Sequence, residues 1–415
     1  MYRALYTLSV YGYKLVIRLA SPFNTKAKDW VNGRKKWSVK LKDAIQNEEK
    51  VIWVHAASLG EIEMAIPILE RLRIERPTYK ILVTFFSPSG YHHFNPKNLA
   101  DWVFYMPSDT KANAVRFLEI VKPSMALFVK YEIWPNFITT LQQKKIPIVL
   151  APAYFSKDFF YFKKLHRNFF KSIFQRINTV LVQDEESKKV LEENNFGKAE
   201  VCGDSRIDRV KQNVKTDWEG KALESFVGES FVLIGGSTWE PGEEILKRAL
   251  YTFPNVKLII APHDIRPANV SRIERLFGVG NCFKYSNVPS NPENYKVAII
   301  DTIGLLSRLY RLGNAAYIGG AFGKGIHNSL EAAAYGLPVF FGPKHDGFVE
   351  PKEMMEAGFA FEIDKGDGLL SVLGKLIKEK SFQEDLQAKA RQFLESKKGA
   401  SDIIVKACLE YLPKG

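Results

Sequence analysis

Short apolar, β-branched runs alternate with helical patterns through most of the chain. Val51, Ile52, Trp53 and Val54 open the alternation as a run expected in a strand buried on both faces. Further strands are predicted at 80–87, 102–106, 125–130, 147–152 and 178–182, with helices between them, for example at 62–76 and 110–121. After Val201-Cys202-Gly203-Asp204 the pattern loosens into a polar stretch, read as a linker over 205–228. A second alternation follows, with strands at 231–235, 256–261, 297–301, 315–318 and 338–341. Helical patterns at 369–380, 383–396 and 400–412 close the chain and are expected to pack across the second domain and back toward the first. The fold class is therefore α/β: two Rossmann-like doubly wound domains, 51–204 and 229–396, with a cleft expected between them and a C-terminal helix in 397–415.

Composition agrees with two domains. The chain has 415 residues, 46% of them hydrophobic, enough for two cores. Its three cysteines, Cys202, Cys282 and Cys408, form no CxxC pair, the usage of a reduced compartment without a thiolate metal site. No HExxH motif occurs among the seven histidines, and nothing in the sequence argues for a bound metal or cofactor.

The net charge of +13 is uneven: residues 1–50 hold eleven Lys or Arg against four acids, a local excess of +7. The opening MYRALYTLSVYGYKLVIRLASPF is apolar and tyrosine-rich but interrupted by Arg3, Lys14 and Arg18. It is too broken for a clear span of ~20 residues, and no clean cleavage site follows it. A basic, aromatic segment of this kind suits the surface of a membrane with anionic lipid. The alternative is an amphipathic helix capping the first domain. A similar ambiguity attaches to SKDFFYFKKLHRNFFKSIFQR at 156–176. Its aromatics at 159–162 and 169, with Lys163, Lys164, Arg167 and Lys171, suit acyl chains and phosphates or a buried helix with one cationic face. Binding of nucleic acid is disfavoured, because no recognition motif accompanies the pattern.

Candidate chemistry collects at predicted strand ends, where ligands gather in open α/β sheets. The first strand shrinks to Ala56, Ala57, Ser58 and Gly60, so a backbone or ligand can approach closely before a helix begins at Glu61. Glu61 is either a reacting carboxylate facing the sheet edge or simply the acidic residue that starts a helix. In the second half, Gly319-Gly320, Gly323 and Gly325 precede a helix opening near Asn328 and Ser329, with Glu331 in its first turn. Such a loop presents N–H groups to a phosphate and a carboxylate to ribose hydroxyls, although a packing turn has the same pattern. It is not a Walker A loop, since glycine follows Lys324. Gly235-Gly236-Ser237 and Ala261-Pro262-His263-Asp264 fall on the same side, and three loops on one sheet edge point to a nucleotide.

HAASLGE at 55–61, KYEIWPN at 130–136, CGDSRID at 202–208, GGSTWEPGEE at 235–244 and GGAFGKGIHNSLEAAAYGLPVFFGP at 319–343 together resemble the bacterial 3-deoxy-D-manno-octulosonic acid (Kdo) transferases of lipopolysaccharide biosynthesis. The resemblance runs in order along essentially the whole chain, including the basic N-terminal segment. It implies a GT-B glycosyltransferase that is inverting and metal-independent, uses CMP-Kdo as donor and needs no cofactor. The implied acceptor is the tetraacylated, bisphosphorylated glucosamine disaccharide precursor of lipid A, at the cytoplasmic side of the inner membrane. Domain 51–204 would bind acceptor and domain 229–396 donor, with 1–50 as membrane anchor.

By motif, Glu61 matches the family's general base, and Glu132 and Arg206 match positions assigned to the transition state. CMP would be held by Pro262 and His263, by Ile303, Gly304 and Leu305, and by Asn328, Ser329, Leu330 and Glu331, beside Gly235 and Ser237. Many members carry arginine where His263 stands and lysine where Arg206 stands; Arg206 keeps the charge with a forked geometry. Another sugar-nucleotide enzyme on the same fold, a 2-epimerase or a UDP-sugar transferase, is the alternative enzyme, and a membrane-peripheral nucleotide sensor the alternative without catalysis.

Overall fold

Strand β1, Val51–Ala56, is buried at every position in a computed structural model of the chain. The structure describes residues 2–46, 50–216, 218, 220–323, 325–346, 348–364 and 366–414. Successive side chains of β1 enter two different cores: Val51 and Trp53 join one cluster, Ile52, Val54 and Ala56 the other. An apolar run without polar alternation is what a strand covered on both faces requires, and each buried Val, Ile or Leu contributes roughly 1.5–3 kcal/mol.

The chain divides into two compact units. The first runs to Arg209 and resumes at Lys398; the second is Val210–Lys397. In the first, β2 (Lys80–Phe85), β3 (Trp102–Tyr105), β4 (Met125–Phe128), β5 (Ile148–Ala153), β6 (Thr179–Val182) and β7 (Glu200–Val201) join β1. The order is β3-β2-β1-β4-β5-β6-β7, parallel throughout. Helices Leu59–Glu75 and Ser401–Leu409 cover one face. Trp37–Ile45, Lys111–Val121, Pro135–Gln143 and Arg167–Phe174 cover the other.

The second unit repeats the plan with β8 (Phe231–Thr238), β9 (Val256–Pro262), β10 (Cys282–Lys284), β11 (Val297–Ile299), β12 (Ala315–Ile318), β13 (Val339–Phe341) and β14 (Ala360–Glu362). Its order is β10-β11-β9-β8-β12-β13-β14, again parallel. Each sheet reverses its winding once, between β1 and β4 and between β8 and β12. Those switch points are where an open α/β sheet leaves a crevice at the carboxyl ends of its strands.

Two expectations change and a third gains detail. The stretch 205–228, expected as a linker, is helical over Ser205–Lys215 and Lys221–Val227, and the boundary between the two units falls within it, after Arg209. Ile207 and Val210, one turn apart, are both buried, and this short apolar stripe turns a polar sequence into a helix. Gly235, expected in a strand-end turn, lies inside β8, because pairing to β9 and β12 continues past it. In 156–176, Tyr161, Phe162, Phe170 and Phe174 belong to the core and are not a surface for acyl chains. Phe160 and Leu165 remain exposed there.

The N-terminal residues form helices Tyr2–Ala20, Thr25–Gly33 and Trp37–Ile45. Among the described residues no helix is long and apolar enough to cross a membrane. Tyr2–Ala20 docks by one face only: Tyr6 Oη donates to Asp109 Oδ2 at 2.7 Å, and Tyr13 packs on Trp30 and Phe86. Leu5, Leu8, Leu15, Val16 and Leu19 are exposed, and at 3.6 residues per turn they fall within an arc of roughly 100°.

Candidate active site

At the first switch point, β1 delivers His55 and, after a tight turn, Ser58 and Glu61; β4 delivers Lys130 and Glu132. Ser58 is the N-cap of Leu59–Glu75 and Glu61 the third residue of that helix. The Ser58 hydroxyl donates to Glu61 Oε2, and the carboxylate also takes backbone hydrogen bonds from Ser58 and its own residue. Only the carboxylate half of a capping box forms, since the Ser58 hydroxyl caps no backbone N–H, and Glu61 does start the helix.

Glu61 is more than a cap, however. It is 9% exposed, and burial raises its pKa above the ordinary carboxylate range. Lys130 pulls that pKa partway down and Glu132 pushes it up. A carboxyl with enhanced proton affinity beside a second carboxyl suits general-base work.

Glu132 is equally buried. Trp134 Nε1 donates to its Oε2 at 2.9 Å, and His55 Nε2 lies 3.5 Å from the same oxygen. Behind His55, Nδ1 is 2.9 Å from Thr84 Oγ1, which also receives Trp53 Nε1 at 2.8 Å. Just before Glu132, Lys130 adopts a left-handed backbone with φ of 65°.

Arg206 occupies the helix that follows Asp204. Its backbone N–H and Nε donate to the Asp204 carboxylate at 2.9 and 2.8 Å. The neighbouring Ser205 hydroxyl reaches Met64 O at 2.6 Å, tying this helix to the one that carries Glu61.

In the second unit the predicted donor residues lie at or just beyond the carboxyl ends of β8, β9, β11 and β12. Ser237 is held at φ 50°, a strained value for a residue with a side chain. A Cβ at Gly319 would fall 2.0 Å from Ser237 O, so only glycine allows β8 and β12 to end this close together. Pro262 ends β9 and is buried, and His263 after it is exposed, its N–H on Thr238 O at 3.1 Å.

Three rings from three loops stack there: Trp239 on His263 at 4.7 Å, and His263 on His327 at 4.6 Å. Burial and then His263 lower the His327 pKa to about 4, which keeps that ring neutral at pH 7. Ile303 and Gly304 are exposed and Leu305 half-buried. Asn328 Oδ1 accepts from Leu330 N–H at 3.2 Å and its Nδ2 donates to Glu331 Oε1 at 3.1 Å. The helix so opened, Leu330–Ala334, has only five residues, and Ser329 at its start is buried. Lys324 lies outside the described residues.

Glu61 and Glu132 are thus brought together. In the second unit the stacked rings of His263 and His327 bring the Pro262–His263 turn beside the loop that leads to Asn328, while Gly235 and Ser237 lie within β8 and Ile303–Leu305 follow β11. Sequence reasoning missed Lys130, His55, Trp134, Trp239 and His327 as members of these sites. Among the described residues no group of three or more His, Cys, Asp or Glu is placed to hold a metal ion.

Comparison with known proteins gives the following. Residues 34–209 match the family model described as 3-deoxy-D-manno-octulosonic-acid transferase (kdotransferase). The 3-deoxy-D-manno-octulosonic acid transferase of Aquifex aeolicus is 29% identical over 347 residues, covering 82% of this chain and 89% of that protein. The enzyme of the same name from Haemophilus influenzae is 26% identical over 385 residues, 88% of this chain and 87% of its own length. Among solved structures, UDP-GlcNAc 2-epimerase from Neisseria meningitidis bound to UDP-GlcNAc superimposes with a TM-score of 0.62 at 17% identity. It covers 87% of this chain and 100% of that one, a likeness of fold.

Proposed function

We infer that the chain belongs to the Kdo transferases and transfers Kdo in lipopolysaccharide biosynthesis, the activity carried by relatives that align over most of its length. The observation that carries the mechanism is the buried pair at the β1–β4 switch point, with Glu61 raised in pKa beside Glu132. Glu61 takes the proton of the acceptor hydroxyl as that oxygen attacks the anomeric carbon of Kdo. The bond from that carbon to the CMP phosphate oxygen breaks, and CMP leaves with the bonding electrons. One carboxylate acting on an incoming hydroxyl gives inversion. Glu132, fixed by Trp134 and faced by His55, and the cation Arg206 set the field in which charge develops.

The donor is CMP-Kdo, held by the loops of the second unit. Asn328 and Ser329 face its phosphate, Glu331 its ribose hydroxyls, and Ile303 to Leu305 and the Pro262–His263 turn its remaining surface. CMP leaves with a single phosphate, a charge that protein cations and N–H groups can offset without a metal or another cofactor. The acceptor is the acylated, phosphorylated glucosamine disaccharide of lipid A synthesis. The exposed apolar stripe on Tyr2–Ala20, a helix that also carries Lys14 and Arg18, supports a seat on the cytoplasmic surface of the inner membrane. The decisive assay incubates the protein with CMP-Kdo and the lipid A precursor, with and without a chelator. Kdo-bearing lipid and free CMP should form in both. UDP-GlcNAc turnover in place of Kdo transfer would favour the epimerase-like alternative.

A further inference from the structure

Helices Tyr2–Ala20 and Thr25–Gly33 and the turn after them enclose, with loop residues Pro107 and Ser108, a cavity of about 450 Å³. That is room for a phosphorylated sugar and not merely an ion. Five of its lining residues are cations: Lys14, Arg18, Arg34, Lys35 and Lys36. None of the lining residues is a carboxylate. A concave, low-dielectric wall of one sign focuses its field on whatever enters.

Among the described residues no carboxylate forms an ion pair with Arg34. Its Nε donates to Met106 O at 2.9 Å, Nη2 to Phe86 O at 2.8 Å and Nη1 to Trp30 O at 3.2 Å. Its guanidinium lies 4.0 Å from the centre of the Trp30 ring. Carbonyls and ring faces hold the group in place, but they do not neutralise it. Burial lowers its pKa to about 9, and burial followed by Arg18 lowers that of Lys14. Trp30 is 5% exposed and its indole Nε1 has no hydrogen-bond partner.

Ser108 and Trp30 also line a second cavity of about 260 Å³, with Val10, Tyr13, Phe86 and Trp134. Its one acid, Asp109, already accepts from Tyr6 Oη and from the N–H groups of Asn136 and Phe137. Trp134 is the residue that donates to Glu132. The basic chamber thus shares two walls with an aromatic one, whose Trp134 touches one of the paired carboxylates.

We propose that the basic cavity is a binding site for a phosphate monoester, and that in the reaction it holds a phosphate of the lipid-linked sugar acceptor while the aromatic cavity receives the apolar part beside it. The second half of this statement rests on the Kdo-transfer reading; the first does not. A dianionic monoester satisfies several unpaired cations at once, and lysine and arginine together supply both point charge and fork. Sugar hydroxyls could then reach Glu61 with the phosphate anchored in the same unit.

The test uses the full chain and the triple variant Lys14→Ala, Arg18→Ala, Lys35→Ala, whose side chains lie toward the surface. Calorimetry with glucosamine 1-phosphate, and with glucosamine as control, reads the site without any reaction. Wild type should bind the phosphate ester and not the bare sugar, and the variant should lose at least about tenfold in affinity. Equal affinities in the two proteins would overturn the site itself.

Initial rates with the bisphosphorylated acceptor and its phosphatase-treated form then test the role. The wild-type preference in kcat/KM for the phosphorylated acceptor should collapse in the variant. A preference that survives would overturn the assignment to the acceptor, as would loss of binding to phosphatidylglycerol vesicles with the preference intact, the mark of a membrane headgroup site. Absence of Kdo transfer by wild type, with phosphate-ester binding retained, would instead strike the functional reading and leave the site standing.

Discussion

The imidazole Nε2 of His55 faces Glu132 Oε2 at 3.5 Å from the end of a fully buried strand. Trp53 Nε1 can only donate, so Thr84 Oγ1 accepts from it and keeps its own hydrogen and a second lone pair for His55 Nδ1. With the hydroxyl hydrogen turned toward Nδ1, the ring proton sits on Nε2, on the side of the carboxylate.

His55→Phe removes that N–H while keeping a ring of similar bulk in the strand. The partner lost serves a buried carboxylate, worth about 1.5–3 kcal/mol, so kcat should fall roughly 10- to 150-fold. Thr84→Val, which frees the tautomer without deleting the ring, should give a smaller loss. Initial rates at saturating acceptor would show the ordering; equal, wild-type rates for both would mean the relay does nothing for Glu132.

As the proposed base, Glu61 should set the pH behaviour. Its folded-state pKa is raised, so the base must lose its proton at a higher pH than an ordinary carboxylate, and the acid limb of kcat/KM should lie above that range. The same displacement bears on stability. Between the unfolded and folded pKa values the native state binds more protons, so this group costs stability as pH rises through that window. Glu61→Gln should therefore be more stable than wild type at pH 7.5 and no more stable at pH 4. Urea unfolding at the two pH values measures this, and a variant less stable at pH 7.5 would contradict it.

Much of this frame was legible in the sequence. β1, β2, β4, β5 and β9 announce themselves as mostly apolar runs because both their faces are covered, and their predicted positions match to within two residues. β7, β10 and β14 span two or three residues each, too few for any period to appear. The helix Ser205–Lys215 was hidden by its charge, although Asp204 and Ser205 before Ile207 and Val210 carry a start signal and an apolar stripe.

The carboxylate pair was only half legible. Glu61 and Glu132 each sit in a recognisable motif, but their proximity follows from β4 crossing back beside β1, a fact of topology. The ring stack of Trp239, His263 and His327 draws on three separate loops and leaves no local trace at all. In 156–176 the aromatics looked available because their spacing suits a core and a docking face equally well. The long-range partner Phe174 on Phe155 decided for the core.

Tyr6 anchors the first helix. Its hydroxyl donates to Asp109 Oδ2, a carboxylate 1% exposed that also caps Pro135–Gln143 through Asn136 and Phe137 N–H. Tyr6→Phe deletes a hydrogen bond to a buried charge and should cost about 1.5–3 kcal/mol. A urea midpoint equal to wild type would show that Asp109 is already satisfied without it.

Glu331 tests the donor loop. Its Oε1 already accepts from Asn328 Nδ2 at 3.1 Å, so the pair is preset for a polar ligand. Glu331→Ala should weaken CMP binding roughly 10- to 150-fold, the worth of a charge-assisted contact of about 1.5–3 kcal/mol, and Glu331→Gln should fall between. Calorimetric titration of CMP decides; identical dissociation constants for all three proteins would remove the ribose assignment.

As the proposed base, Glu61 should take the acceptor's proton. Single-turnover Kdo transfer by Glu61→Gln, with CMP affinity measured on the same preparation, addresses it most directly. The amide keeps the size and the helix-capping oxygen of the carboxylate but cannot act as the base. Transfer should slow by about 10²–10⁴-fold while CMP binds as in wild type. A variant that transfers Kdo within tenfold of the wild-type rate would contradict the assignment, and the base would have to be sought elsewhere at the switch point.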